Sequence, residues 1–127
     1  MKVSFDLRSL DTASAEHKVL IVGTMVEALA RANAAYLIAN PQTPPMYLSG
    51  VSYDPWFEWL DIPALLLARK GDCKSLVAWR VAEMRRQGSH PKVHAIITTI
   101  AGVDTFHVQV TNANITEDPS TRLGMRL

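Results

Sequence analysis

The run Gly71-Asp72-Cys73-Lys74-Ser75-Leu76-Val77-Ala78-Trp79-Arg80-Val81-Ala82-Glu83-Met84-Arg85-Arg86-Gln87-Gly88 is punctuated at both ends. Gly71 and Asp72 break the apolar pattern before it, and Gly88 sits where a left-handed residue usually ends a helix. The spacing between them predicts a helix from about Cys73 to Gln87. Its buried side should hold Leu76, Val77, Trp79 or the stem of Arg80, Val81 and Met84. After Pro91 the period changes to two, which predicts a strand from about Lys92 to Ala101. A turn at Gly102-Val103 follows, then a second strand from about Thr105 to Thr111. A short third strand near Ile115 to Glu117 precedes Asp118-Pro119. Upstream, Asp11 or Thr12 can cap a long helix running to Asn40. Its apolar positions Val19, Val22, Val26, Leu29, Ala32 and Tyr36 recur at three and four, with Gly23 as its weak point. Pro41, Pro44 and Pro45 stop that helix and start an extended connector, residues 41–70, whose aromatic and apolar part predicts short helical turns. Helices first and an antiparallel sheet afterwards define an α+β fold in a single domain over residues 1–127, with residues 71–127 holding the cysteine helix and the sheet.

The 127 residues, 48% of them hydrophobic, suffice for one core and are too few for two. A formal net charge of +1 gives no reason to expect nucleic acid or an anionic membrane as partner. The longest apolar runs, around Val19 to Val26 and Ile62 to Ala68, fall short of the ~20 residues that span a bilayer. The opening Met1-Lys2-Val3-Ser4-Phe5-Asp6-Leu7 lacks the apolar core of a secretory signal, so cytosolic synthesis is expected. A single cysteine forms no internal disulfide, and no Cys/His set has zinc-ligand spacing, so neither metal nor cofactor is expected.

A thiol attacks as its thiolate, and an unperturbed cysteine, with a pKa near ~8.5, is mostly protonated at neutral pH. At the first turn of a helix Cys73 would meet free backbone amides and the positive end of the helix dipole, which favour an anion. An imidazole beside the sulfur would add more. Of the four histidines, His17 reads as solvated, His90 as a loop residue and His94 as a second candidate base on the first strand. His107 is better placed, because alternation sends Phe106, Val108 and Val110 to one face and His107 with Gln109 to the other. Asp118, eleven residues further on, can return on the neighbouring strand and accept the proton of the second ring nitrogen. Asp104 competes for that part but sits at the strand start. Set against this triad is a plain reading in which Cys73 is a core residue and His107 a satisfied sheet histidine. Trp56, Trp59 and Trp79 could wall a substrate pocket or, through an indole N–H, help an oxyanion; core packing is the competing reading. The backbone amide of Cys73 is the favoured oxyanion donor. Arg80, Arg85 and Arg86 could meet phosphate or a partner protein; complementing the end of their helix is the favoured reading.

The cysteine-helix run, the later His107-Val108-Gln109-Val110 and the ending Glu117-Asp118-Pro119-Ser120-Thr121-Arg122-Leu123-Gly124-Met125 resemble the small transglutaminase-like proteins of tailed bacteriophages and prophages. Asn40-Pro41-Gln42-Thr43-Pro44-Pro45-Met46-Tyr47, Ser49-Gly50-Val51 and Trp59-Leu60-Asp61-Ile62-Pro63 extend the likeness over most of the chain from roughly Thr12 onward. The cell-wall amidases with an Asp-Cys-Ser-Gly-Leu-Val type motif are a weaker match. The resemblance implies a papain/transglutaminase-like fold with Cys73 as nucleophile, His107 as base and Asp118 as orienter; the residues themselves suggest Trp56, Trp59 and Asp72 for the substrate pocket or oxyanion region. It implies acyl-transfer chemistry of the cysteine peptidase, transglutaminase or amidase type, in the host cytoplasm and linked to virion assembly, on a protein or peptide substrate. The alternative is a virion structural or assembly protein of head, neck or tail that retains the fold and binds other virion proteins. Phage relatives carry an acidic pair after the cysteine, whereas this chain has Lys74-Ser75; a cation there is expected to depress the thiol pKa further.

Overall fold

The computed structural model describes residues 2–3, 14–55 and 58–126. Its first element is a two-residue strand, β1 (Lys2–Val3). Helix α1 (Ala15–Ala39) starts where the Ser14 side chain accepts the His17 amide N–H at 3.2 Å. The expected caps Asp11 and Thr12 lie outside the described residues. Val22, Val26 and Leu29 are buried as the spacing predicts, but Ala32 is exposed and Tyr36 half-buried. The buried side instead continues through Ala30, Asn33 and Leu37. Asn33 earns its place by chemistry, since its side-chain oxygen accepts the Ile62 amide at 3.0 Å and docks the next part of the chain. At 25 residues α1 is also long and apolar enough to cross a bilayer, which the shorter apolar runs did not suggest; its Val22 to Leu37 side is buried within this molecule.

The connector is more structured than its prolines predict. A 3₁₀ turn at Met46–Leu48 leads to β2 (Ser52–Tyr53), β3 (Trp59–Leu60), α2 (Ile62–Ala68) and β4 (Lys70–Gly71). β3 pairs antiparallel with β1, and β2 pairs parallel with β4. Among the described residues of 51–69, α2 is the element that fits the expected helical turns: Asp61 caps it by accepting the Ala64 amide at 3.2 Å, and left-handed Arg69 ends it.

Helix α3 (Cys73–Arg86) lies between two apolar clusters. Val77, Ala78, Val81 and Met84 face α1 and the sheet, while Leu76, Trp79 and Ala82 face the connector. Trp79 is fully buried, and Arg80 beside it reaches outward to Glu117. Gly88, at φ 90°, closes the helix as predicted. The sheet is β5 (Lys92–Ile100), β6 (Val103–Asn112) and β7 (Ile115–Glu117), antiparallel and in chain order. Its first turn is Ala101-Gly102 rather than Gly102-Val103, and both turn residues have positive φ. Ala113-Asn114 repeat that geometry between β6 and β7, the two-residue turn that matches strand twist. A final turn of helix, α4 (Pro119–Arg122), is capped by Asp118. Helices α1 and α3 pack on one face of the sheet through Val93, Ala95, Phe106, Val108 and Val110. The described residues thus form the expected α+β arrangement.

Candidate active site

Three local features put Cys73 where it is. The parallel β2/β4 pair sets Tyr53 opposite Gly71, two residues before the cysteine. Gly71 allows the close approach, since a Cβ there would lie 2.5 Å from Leu65 Cδ2 inside the core. Asp72 stands at the N-cap of α3 in extended conformation, yet its side chain makes no capping bond and turns to the Lys74 ammonium. The Lys74 and Ser75 amides at the start of α3 favour the charge of Asp72, and the Lys74 amide also favours an anion at Cys73.

The sheet supplies the other half. The two-residue turns fix which amides of β6 point to each side: those of Val103, Thr105, His107 and Gln109 point toward β5, those of Val108 and Val110 toward β7. β7 reaches only as far as Val110, so the Val108 N–H projects from an open edge. That N–H favours a negative charge on the Cys73 sulfur, and both residues line one cavity. Cys73 is thus near the residue that follows His107 on β6. His107 is on the face away from the helices, opposite Ile96, and its Nε2 donates to Asp118 Oδ2 at 2.8 Å. Gln109 Nε2 donates to the same oxygen at 3.3 Å, while Asp118 Oδ1 accepts the Ser120 and Thr121 amides at 3.1 and 3.4 Å. Asp118 is therefore held by a helix start on one side and holds the imidazole on the other, leaving Nδ1 as the ring nitrogen that can serve a thiol.

The charges around the two halves act in opposite directions. Burial pushes the Asp118 carboxyl up, but the hydrogen bonds from His107 and Gln109 outweigh it and leave its pKa below the ordinary carboxylate value. Burial pushes the Cys73 thiol up, and the charge of Asp72 pushes it further; the amides of Val108 and Lys74 and the Lys74 ammonium pull back without restoring it. Lys74 thus lowers the thiol pKa as expected, but burial and the charge of Asp72 outweigh it and the net shift is upward. The ammonium is bound to that same carboxylate. Asp72 is itself raised by burial, against the pull of Lys74. Its Oδ1 is buried without a hydrogen-bond partner; the amides of Ser75 and Lys74 favour its charge from nearby without closing a bond on that oxygen.

A cavity of about 330 Å³ opens on the helix side of Cys73, walled by Val22, Tyr53, Trp59, Phe106 and Val108 with Asp72 and Lys74 at its charged end. Trp59 has the place in a pocket wall that its type suggests, with the Lys74 ammonium 5.2 Å from its ring centre. Trp56 lies outside the described residues, and Trp79 is core. Asp104 is not an orienter: it pairs with Lys18 at 2.6 Å. His17 and His90 are exposed, and His94 lies exposed opposite Gln109, away from the thiol. The arginines are tied to structure. Arg80 binds Glu117 and Glu83 at 2.6 and 2.8 Å, Arg85 binds Glu27 at 2.6 Å, and Arg86 donates to the Leu37 carbonyl.

Tyr53 is the residue that sequence reasoning missed. Burial raises its pKa, and Cys73, Asp72 and Asp118 raise it further, so its hydroxyl lies within electrostatic reach of both halves of the site. Its amide donates to the Leu123 carbonyl at 2.9 Å while its strand pairs with β4, which links the α4 end to the α3 start. A parallel pairing of two-residue strands across most of the connector leaves no periodic signal to read. Compared with known protein families, with curated proteins and with solved structures, the chain finds no match in any of the three.

Proposed function

We propose that this chain is a thiol-dependent acyl-transfer enzyme of papain/transglutaminase-like architecture, phage-encoded and linked to virion assembly. The observation that carries the chemistry is the His107–Asp118 pair at 2.8 Å, next on the strand to Val108, whose amide favours the Cys73 anion. The phage context rests on the motif resemblance alone. Because the resting thiol is pushed up, the mechanism starts from a neutral pair. Cys73 Sγ attacks the carbonyl carbon of R–CO–X, and its proton passes to His107 Nδ1 as the S–C bond forms. His107 returns that proton to X as the C–X bond breaks, giving HX and a thioester on Cys73. Water or an amine then attacks the thioester, yielding the acid or a new amide and restoring the thiol. Asp118 keeps Nε2 protonated and the ring in place, and the Cys73 amide at the start of α3 stabilises the oxyanion. The substrate is a protein or peptide, and the host cytoplasm is the compartment of action.

Exposure to p-nitrophenyl acetate, with the acetyl mass followed on Cys73, tests this. Acetylation is expected to be slower by about 10²–10⁴-fold in His107→Ala than in the parent chain. Equal rates in two equally folded proteins would overturn the catalytic reading. One observation favours the alternative: Cys73 packs against the main apolar cluster and its thiol is disfavoured as an anion. Under that reading the fold serves as a virion structural or assembly part, its surface contacts other virion proteins, and the thiol labels slowly whatever residue 107 is.

A further inference from the structure

The two sides of Cys73 are chemically unlike, and an acyl transfer must use them differently. The leaving group X has to be reached by His107 on the outer side of the strand edge, because His107 delivers its proton. The acyl part of the substrate is then directed to the opposite side, where the cavity of about 330 Å³ lies. Val22, Trp59, Phe106 and Val108 make that cavity's walls apolar. Its charged members are paired, Asp72 Oδ2 with Lys74 and Asp104 with Lys18 at 2.6 Å, and the remaining Asp72 oxygen is itself buried out of reach of solvent. A charged side chain entering here would lose its water and meet charges already offset, a cost that an apolar side chain avoids. The volume is at the low end of the roughly 300–1,000 Å³ typical of small-molecule sites, room enough for a bulky side chain together with flanking parts of its substrate.

We infer that this cavity is the acyl-side subsite of the proposed enzyme and takes a large uncharged apolar side chain, branched aliphatic or aromatic, from the residue whose carbonyl Cys73 attacks. The inference rests on the acyl-transfer reading and narrows its substrates to acyl donors of that class.

The test uses the whole chain with N-acetyl amino acid p-nitrophenyl esters of leucine, phenylalanine, glycine, lysine and glutamate, following the mass added to Cys73 in the parent chain and in His107→Ala. The expected result is acylation dependent on His107, with leucine and phenylalanine faster than glycine, lysine and glutamate by about 10–200-fold, the range that filling an apolar pocket supplies. Acylation that depends on His107 but runs equally fast for all five esters overturns the subsite and leaves the enzyme reading standing. Acylation by none of them, or at rates indifferent to His107→Ala, overturns both. Wall variants add an independent reading: Phe106→Ala should shift preference toward bulkier esters and Val22→Phe toward smaller ones. Unchanged preference in both folded variants counts against this cavity.

Discussion

The sheet half and the helix half of the site differ in how much of their chemistry is prepared in advance. On the sheet, Asp118 is anchored by the Ser120 and Thr121 amides and in turn fixes His107, and its charge is favoured. On the helix, Cys73 follows a buried carboxylate, and its anion is disfavoured by burial and by that neighbour. The His107–Asp118 pair is thus fixed in advance, whereas Cys73, the nucleophile of the proposed reaction, is favoured in its protonated form. This difference separates two ways of making a thiol react. A resting ion pair needs the sulfur to be an anion before substrate arrives, whereas this site is suited to proton transfer during attack, with the imidazole acting as general base.

The largest expected effect comes from breaking the prepared half. Asp118→Ala should slow Cys73 acylation on the order of 10²-fold or more, because the imidazole loses the acceptor that sets its tautomer. Asp118→Asn separates that role from structure: asparagine caps a helix as well as aspartate does, so α4 should remain. A rate that falls in both variants while thermal stability falls mainly in Asp118→Ala would assign the carboxylate an orienting part. Unchanged rates in both would reduce Asp118 to a helix cap.

A smaller effect is expected from releasing the unprepared half. Removing the charge next to the thiol in Asp72→Asn should raise the iodoacetamide labelling rate of Cys73 at pH 7.5 by roughly fivefold, about what one nearby charge in a partly screened site contributes. Labelling that slows instead would mean that Asp72 serves the sulfur by holding Lys74 near it, and the account of the opposing charge would be wrong.

How much of this was open to sequence reading follows the range of the interactions. The α3 boundaries at Gly71-Asp72 and Gly88, the hairpin after Pro91 and the return of Asp118 beside His107 all depend on neighbours within about a dozen residues, and their signals are turn residues and periodicity. The α1 stripe was read from apolar spacing, which passes over Asn33 because a buried amide looks polar until its partner, the Ile62 amide, is known. The β2/β4 pair and Tyr53 were invisible for the same reason, as two-residue strands carry no period. The thiol's electrostatics failed differently. Lys74 was visible and its sign was right, but sequence order does not say that its ammonium would be taken by Asp72.

The smallest effect is on acid stability, and here the two aspartates should have opposite signs. Asp118 has a lowered pKa in the folded chain, so its contribution is present above about pH 4, the unfolded carboxyl value, and is lost as pH falls through the lower folded one. Asp72 has a raised pKa, so its contribution is complete below about pH 4 and is lost as pH rises through the higher folded value. In the parent chain the two slopes oppose each other. Urea midpoints measured between pH 3 and 6 should therefore fall less steeply with acid in Asp118→Asn and more steeply in Asp72→Asn than in the parent. If both variants moved the slope the same way, the two carboxyls would not differ as described, and the contrast between a prepared sheet half and a restrained helix half would lose its electrostatic basis.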